Sequence, residues 1–263
     1  MVYAAFAFWF FLVVFAGLGV YRLWRQVVRP KWVNGVLLPG TLASEMGYIL
    51  GSLITGGEIR RARLFGGGRG GSEAEPATEA APRFRFLGPM VASMLAVVTC
   101  AGGIVAAHEL LGEPVIVKFI LADGLFTPLS LPKELPGTWD GLWRQVELQV
   151  KLLRRMAETL GRLDWLDWRS VLFVYLAACL SVRLAPVGRD LRPTLAAVAV
   201  LAGIFAAVAA ITSSYTDLMA RIWYLLTYIW ANLLFLLAVT GLVRGLAALV
   251  GVLAGKKRRS SPR

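Results

Sequence analysis

The residue best placed to do chemistry in this sequence is Glu45. It is the only charge in the apolar run "LLPGTLASEMGYILGSLITGG", residues 37 to 57. A charged side chain in hydrocarbon costs about 2.5–3.5 kcal/mol on insertion scales, so such residues face a bundle interior or a cavity and mark sites by default. Ser44, Tyr48 and Ser52 recur every four residues and make a polar stripe. Glu45 lies about 100° around the helix from Ser44. Ala43, Gly47, Gly51 and Thr55 make a second stripe of small residues, suited to close helix packing. A carboxylate so placed can carry a proton, share a hard cation with another acid, or activate water beside a metal. Ser44 and Tyr48 are among the expected hydrogen-bond partners of a buried Glu45.

The elements that must position these residues are membrane segments. Of the 263 residues 57% are hydrophobic and only 17% are charged, and the mean hydropathy is +0.66. Uncharged runs of about 20 residues can cross a bilayer. Met1 to Tyr21, Phe86 to His108, Thr194 to Thr216 and Ile222 to Val243 qualify, and Ser170 to Val182 is a shorter fifth run that Trp165 and Trp168 extend into the interface. The first run lacks a basic start and a small-residue cleavage site, so it reads as a retained span. The segment 33 to 56 either crosses or re-enters, since its glycines, proline and glutamate suit both. The expected fold is therefore all-α: one polytopic membrane bundle over residues 1–263, with five to six membrane segments.

Outside the spans, residues 66 to 82 are rich in Gly, Ala, Glu and Pro and read as a flexible loop. The stretch from Glu113 to Gly137 is broken by prolines and reads as irregular. Residues 138 to 163 predict an amphipathic helix. Trp139, Leu142, Trp143, Val146, Val150, Leu153, Ala157 and Leu160 share its apolar face, and Asp140, Arg144, Glu147, Lys151, Arg154, Arg155, Glu158 and Arg162 share the other. Such a helix lies on the membrane surface or covers the bundle. Arg244 interrupts the last apolar run.

The net charge is +12 and the pI about 10.3. The Lys and Arg residues sit in short loops and tails, where they set orientation and meet anionic lipid. The expected partners are thus the bilayer and a membrane protein, with no nucleic acid. The basic tail 256–263 belongs in the cytoplasm, which places loop 183–193 and the six arginines of 57–85 inside and 108–169 outside. The basic stretch 22–31 joins them inside only if 33–56 re-enters. Cys100 and Cys179 lie in apolar runs with no disulfide or zinc spacing. His108, the single histidine, ends a span and reads as interfacial. "FGGGRGG" is not a phosphate loop, because no Gly-Lys-Ser/Thr follows.

The segment "PGTLASEMGYILGSLITGGEIRRARL" resembles the active-site segment of the site-2 protease family of intramembrane zinc metalloproteases, in its bacterial branch. There Pro-Gly-Thr leads into H-E-x-x-H, whose histidines bind zinc while the glutamate activates water. Here the pentad is Ser44-Glu45-Met46-Gly47-Tyr48: the acid is kept and both imidazoles are replaced. A second patch, "VYLAACLSVRLAPVGRDLRPTL", is similar to the later Ala-Pro-Ser-x-x-Asp motif of that branch, with Ala185, Pro186 and Asp190 matching and Val187 in place of serine. The preceding "LDWLDWRS" also fits.

Hydroxyls are poor zinc ligands beside imidazole, and without metal water is a weak nucleophile. The resemblance implies a scaffold that no longer cuts peptides, with no metal or other cofactor. Glu45 and Asp190 are then vestigial, and Ser44, Glu45, Tyr48 and Asp190 form a remnant cleft that binds or regulates a membrane partner. The expected location is the cell inner membrane, multi-pass. Two other readings stay open: an ion- or proton-coupled transport component using Glu45, and an active metalloprotease with atypical ligands such as His108.

Overall fold

The structure is a computed structural model that describes residues 2–28, 30–63, 77–81, 87–121, 131–132, 139–185, 191–211 and 215–253. The basic tail 256–263 and Asp190 lie outside the described residues. Helices dominate: α1 (Val2–Val27), α2 (Pro30–Val36), α3 (Leu38–Ile54), α4 (Leu87–Ala107), α5 (Glu113–Leu121), α6 (Trp139–Gly161), α7 (Trp168–Arg183), α8 (Leu191–Ile211) and α9 (Tyr215–Leu253).

Three stretches, Ala5–Gln26, Leu87–Phe119 and Ile222–Val250, are long and apolar enough to cross a membrane and mark this as a membrane protein. Among the described residues these three meet the length and composition of a full crossing. α3 has 17 residues and α7 has 16, while α8 has 21.

The contacts fix the helix directions. Phe6 meets Trp223, Trp9 meets Trp230 and Trp24 donates to Thr240, so α1 and α9 run parallel. α7 runs with them, since Phe173 packs on Tyr228 near one end while Gly17 and Tyr21 meet Ser181 and Arg183 near the other. α4 runs the opposite way: Cys100 reaches the Arg183 carbonyl, Gly103 meets Leu180 and Gly112 meets Phe173. α8 completes the packing through Val198, which joins Val14, Leu18 and Ala185.

α2 and α3 make a hairpin that enters and leaves the bundle at the same end, where α1 finishes. Asn34 lies beside Tyr21 and Arg183. Val36, at the tip, accepts from Tyr175 Oη (2.7 Å) and Cys179 Sγ (3.3 Å), deeper along α7. Leu37 is fully buried there. α3 then returns past Gly40, level with Cys179 and Cys100, to Gly51, level with Ala92 near the start of α4. Pro39 suits the first turn of α3, where no intrahelical N–H is needed. At its other end Gly56 takes φ 70°, and Gly57 N–H reaches Ser52 O at 2.8 Å while Gly56 N–H reaches Leu53 O at 3.0 Å. This Schellman geometry needs a left-handed residue, hence glycine.

Four sequence expectations are corrected. The fold is helical as expected, with one short antiparallel hairpin beside it: Glu58–Arg63 pairs with Ala77–Ala81, Arg61 opposite Glu79, with a bulge between Ile59 and Arg61. The second strand falls inside the stretch read as a flexible loop, because pairing to a distant partner is invisible in local composition. Residues 113–121 are helical rather than irregular. Pro114 lacks the N–H that would reach Leu110 O, and the π turn His108–Gly112 lets the helix continue across that gap. α9 runs unbroken through Arg244, an exposed position where a good helix former need only reach outward.

The fourth correction concerns α6. It docks through Leu152, Arg155, Met156 and Thr159, all buried, and Gln149 Oε1 accepts from Trp230 Nε1 at 2.5 Å. Arg155 is therefore an inward residue, not part of the solvated face. Trp139, Leu142, Trp143, Val146 and Val150 remain exposed, so the strongest apolar face of the helix looks away from the bundle. An extended piece, Leu131-Pro132, is inserted between α1 and α9. Thr227 Oγ1 accepts from Leu131 N, Trp223 Nε1 donates to Leu131 O, and Trp9 Nε1 donates to Pro132 O. Buried irregular backbone needs such partners.

Two predictions follow from this packing. A Cβ at Gly47 would lie 2.5 Å from Thr99 Oγ1 and 2.6 Å from Leu95 O, and one at Gly51 would lie 2.5 Å from Ala92 Cα, whereas Gly241 and Gly245 have nothing within 4 Å. Gly47→Leu or Gly51→Leu should destabilise the detergent-solubilised protein by about 1–3 kcal/mol or more, while Gly241→Leu should leave its thermal midpoint unchanged. In α7, Asp167 caps the first turn by accepting from Ser170 Oγ (2.8 Å) and from Arg169 N and Ser170 N. The Ser170 hydroxyl bond above all, with those N–H groups, outweighs desolvation and holds the carboxyl below its ordinary 3.8. A lowered pKa means stability present above the ordinary value and lost as pH falls through the lowered one. Asp167→Ala should thus lower the thermal midpoint at neutral pH, and the gap to wild type should close below about pH 4.

Candidate functional site

α3 presents two buried faces. On one, Gly40, Gly47 and Gly51 lie against backbone. A Cβ at Gly40 would be 2.4 Å from Cys179 O, and those at Gly47 and Gly51 would strike α4. Glycine alone permits this approach of α3 to both α7 and α4. On the other face, Thr41, Glu45 and Ser52 are buried, with Glu45 only 5% exposed. Tyr48 continues this face, so positions 41, 45, 48 and 52 follow the four- and three-residue steps of one helical stripe. The polar stripe expected from Ser44, Tyr48 and Ser52 is thus redrawn: Glu45 belongs to it, and Ser44 sits half-buried at its edge. Thr41 Oγ1 is satisfied locally by donating to Leu37 O at 2.9 Å.

Five residues before Glu45, about 7.5 Å along the helix, lies a buried polar group that sequence reading missed. Arg183 is 5% exposed. Its Nη2 donates to Asn34 Oδ1 at 3.0 Å, its guanidinium stands 5.2 Å from the centre of the Tyr21 ring, and Tyr21 Oη donates to the same Asn34 oxygen at 3.4 Å. The Arg183 Cγ lies 3.0 Å from where a Gly40 Cβ would stand. From sequence Arg183 is one more arginine of a basic loop. The available signal was Asn34, one of only two asparagines in the chain, within an apolar stretch.

Cys100 and Cys179 flank the same point. Cys100 Sγ lies 3.9 Å from Gly40 O and 3.8 Å from Arg183 O, and both cysteines are free and buried. The structure therefore joins the two stretches that carry the family resemblance, since residues 36–41 touch 175–183 directly. Asp190, with Pro186 and Val187, lies outside the described residues. Ala185 is buried against Gly17.

Nothing matches this chain among protein-family models, curated proteins or solved structures.

His108 is not at a span's end but inside the π turn, where its Nδ1 is buried without a hydrogen-bond partner and faces Gly112, itself packed on Phe173. Glu45 is level with residues 96–100 of α4, so about 16 Å of helix separates it from His108. Zinc–nitrogen bonds are about 2.0–2.1 Å, so these two residues cannot share an ion in this fold. Among the described residues no three of His, Cys, Asp and Glu converge.

The Arg183–Asn34–Tyr21 group should behave as one unit. Arg183→Leu and Asn34→Leu are each expected to cost about 1–3 kcal/mol, because each leaves buried polar atoms behind. The double variant should cost at least about 0.5 kcal/mol less than their sum. Thermal denaturation of the four proteins in one detergent measures this, and strict additivity would show that the group is not coupled.

Proposed function

We propose that this chain is a non-catalytic, site-2-protease-like integral membrane protein whose remnant cleft around α3 binds or regulates a second membrane protein. The observation that carries the reading is the junction at Gly40. There the stretch leading to Glu45 packs on the stretch leading to Asp190; by the family resemblance, Ser44 and Tyr48 stand where two imidazoles would grip zinc. With hydroxyls there, the scaffold keeps a buried acid but has no evident means of activating water. On the side of α3 turned away from the buried stripe, about 150° around the helix, lies an uncovered apolar ridge of Met46, Leu50, Leu53 and Ile54, all at least half exposed. A transmembrane helix of a partner laid on this ridge would contact the helix that carries Glu45.

In this reading the α2–α3 hairpin is re-entrant. Its support is geometric: α1 and α9 run parallel, and the hairpin enters and leaves where α1 ends. Arg22 and Arg25, the strand Glu58–Arg63 and the C-terminal end of α9 then share one face, the cytoplasmic face of a bacterial inner membrane by the positive-inside rule. Tryptophans mark both boundaries. Trp24 and Trp32 stand at the basic end, and the exposed Trp165 and Trp168, at the start of α7, at the other. From Trp168 along α7 to the level of Trp24 is about 27 Å, close to the hydrocarbon thickness of about 30 Å.

A photo-crosslinking residue at Met46 in native membranes should capture an integral membrane polypeptide, and Glu45→Leu should weaken that capture. Stoichiometric zinc in the purified protein, with peptide cleavage abolished by Glu45→Gln, would instead establish an active protease. Proteoliposome flux abolished by Glu45→Gln would establish transport. For topology, cysteines at Val28, Glu58 and Val250 should label from one side of sealed vesicles and a cysteine at Leu166 from the other. Opposite sides for Val28 and Glu58 would mean that α3 crosses.

A further inference from the structure

α6 has three faces rather than two. Leu152, Arg155, Met156 and Thr159 are buried against the bundle, and Gln149 Oε1 accepts from Trp230 Nε1 of α9. A second stripe carries Asp140, Arg144, Glu147, Lys151, Arg154 and Glu158, all reached by solvent. Four of these charges pair along the helix itself, Lys151 Nζ with Glu147 Oε1 at 2.9 Å and Arg154 Nε with Glu158 Oε1 at 2.8 Å. The third stripe is apolar and uncovered. Trp139 is 81% exposed, Trp143 69% and Val150 61%, with Leu142 and Val146 between them also exposed. At about 100° per residue the three stripes stand about 100–145° apart, so each looks into a different medium.

The third medium follows from where the helix is fastened. Its inner face is held on α9, whose stretch Ile222–Val250 is long and apolar enough to cross a membrane. The free apolar stripe is therefore continuous with the lipid-facing surface of the bundle. The chain after α6 keeps the same character: Trp165, Leu166 and Trp168 are exposed, and Trp165 Nε1 ties back by donating to Leu160 O at 3.1 Å. Tryptophan concentrates where headgroups meet hydrocarbon, since its ring is apolar and its N–H polar. Water would leave the stripe's apolar area hydrated, at a cost. A protein partner would find Glu147, Lys151, Arg154 and Glu158 already paired, with little charge left there to fix its register. The headgroup–acyl boundary suits all three faces at once, with hydrocarbon for the apolar stripe, water for the charged one and protein for the rest.

We propose that α6 is an interfacial anchor, lying along the membrane surface on the side where α7 begins. Trp139, Leu142, Trp143, Val146 and Val150 sink into the headgroup–acyl boundary of that leaflet. The ligand of this face is the bilayer itself, with no particular headgroup. The proposal rests on the membrane reading above and goes beyond it by assigning this helix face. Anchored there, α6 holds Trp230, through Gln149, and the start of α7 at a fixed depth.

The test uses the full-length protein in vesicles of phosphatidylcholine and phosphatidylglycerol, with single added cysteines carrying a nitroxide label. Cys100 and Cys179 are buried, and wild type treated in the same way gives the blank. Electron paramagnetic resonance compares collisions with oxygen, which concentrates in lipid, and with a water-soluble nickel chelate. Labels at Val146 and Val150 should gain oxygen collisions and lose nickel collisions, and labels at Asp140 and Arg144 should do the reverse. Nickel collisions at Val146 and Val150 equal to those at Arg144 would put the stripe in water. Loss of both reagents there would mean that protein covers it, and spin–spin broadening between copies would identify that protein as a second copy of this chain. Either result overturns the proposal. Alkaline extraction of cell membranes separates the two failures. Wild-type protein that stays in the pellet while Val146 and Val150 meet nickel refutes the anchor alone, and protein released to the supernatant refutes the membrane reading itself.

Discussion

The structure depends on the absence of Cβ atoms along one side of α3. At Gly40 the helix presses on the backbone of α7, and at Gly47 and Gly51 it presses on the backbone of α4. Helices in a membrane gain little from hydrophobic contact with each other, because lipid tails are as apolar as leucine, so close backbone approach and dispersion must hold them. That approach also sets direction. A hairpin clamped between α4 and α7 returns to the end at which it entered. The flank of α3 next to the glycines, about 120° around the helix, carries Thr41, Glu45 and Ser52, all buried.

The same economy governs the polar groups. In a low-dielectric interior an unpartnered polar group is costly, and several groups here meet partners from distant segments. Arg183 has Asn34 and Tyr21, the Val36 carbonyl at the hairpin tip has Tyr175 and Cys179, and the inserted Leu131-Pro132 backbone has Trp9, Trp223 and Thr227. These bonds link segments more than 90 residues apart in sequence, so they fix tertiary arrangement more than local structure. One group of buried polar residues, Arg183, Asn34 and Tyr21, lies beside Gly40, next to the proposed cleft.

The surface divides in two. Near the basic end, arginines and tryptophans accompany an uncovered ridge on α3. At the far end, exposed tryptophans stand at the start of α7, and those of α6 project away from the bundle. α6 illustrates how a moment in the sequence is only half an answer. Its apolar side is real, yet the bundle takes Leu152, Met156 and the buried Arg155, leaving Trp139 and Trp143 outward. An amphipathic pattern says that one side avoids water, and both a bilayer and a protein core satisfy it.

Periodicity and composition determined that long apolar helices occur, that residues 139–161 form an amphipathic helix, and that α3 has a small-residue side fit for close contact. Each of these rests on spacings of a few residues, which a chain displays without folding. Only the tertiary structure decided that α1 and α9 run parallel, that the α2–α3 hairpin turns back at Val36 and Leu37, that Ala77–Ala81 pairs with Glu58–Arg63, and that Arg183 is an interior residue beside Gly40. These outcomes depend on which surfaces meet across long stretches of chain. Such a choice is settled by backbone distance and hydrogen-bond satisfaction in three dimensions, and no local pattern encodes it.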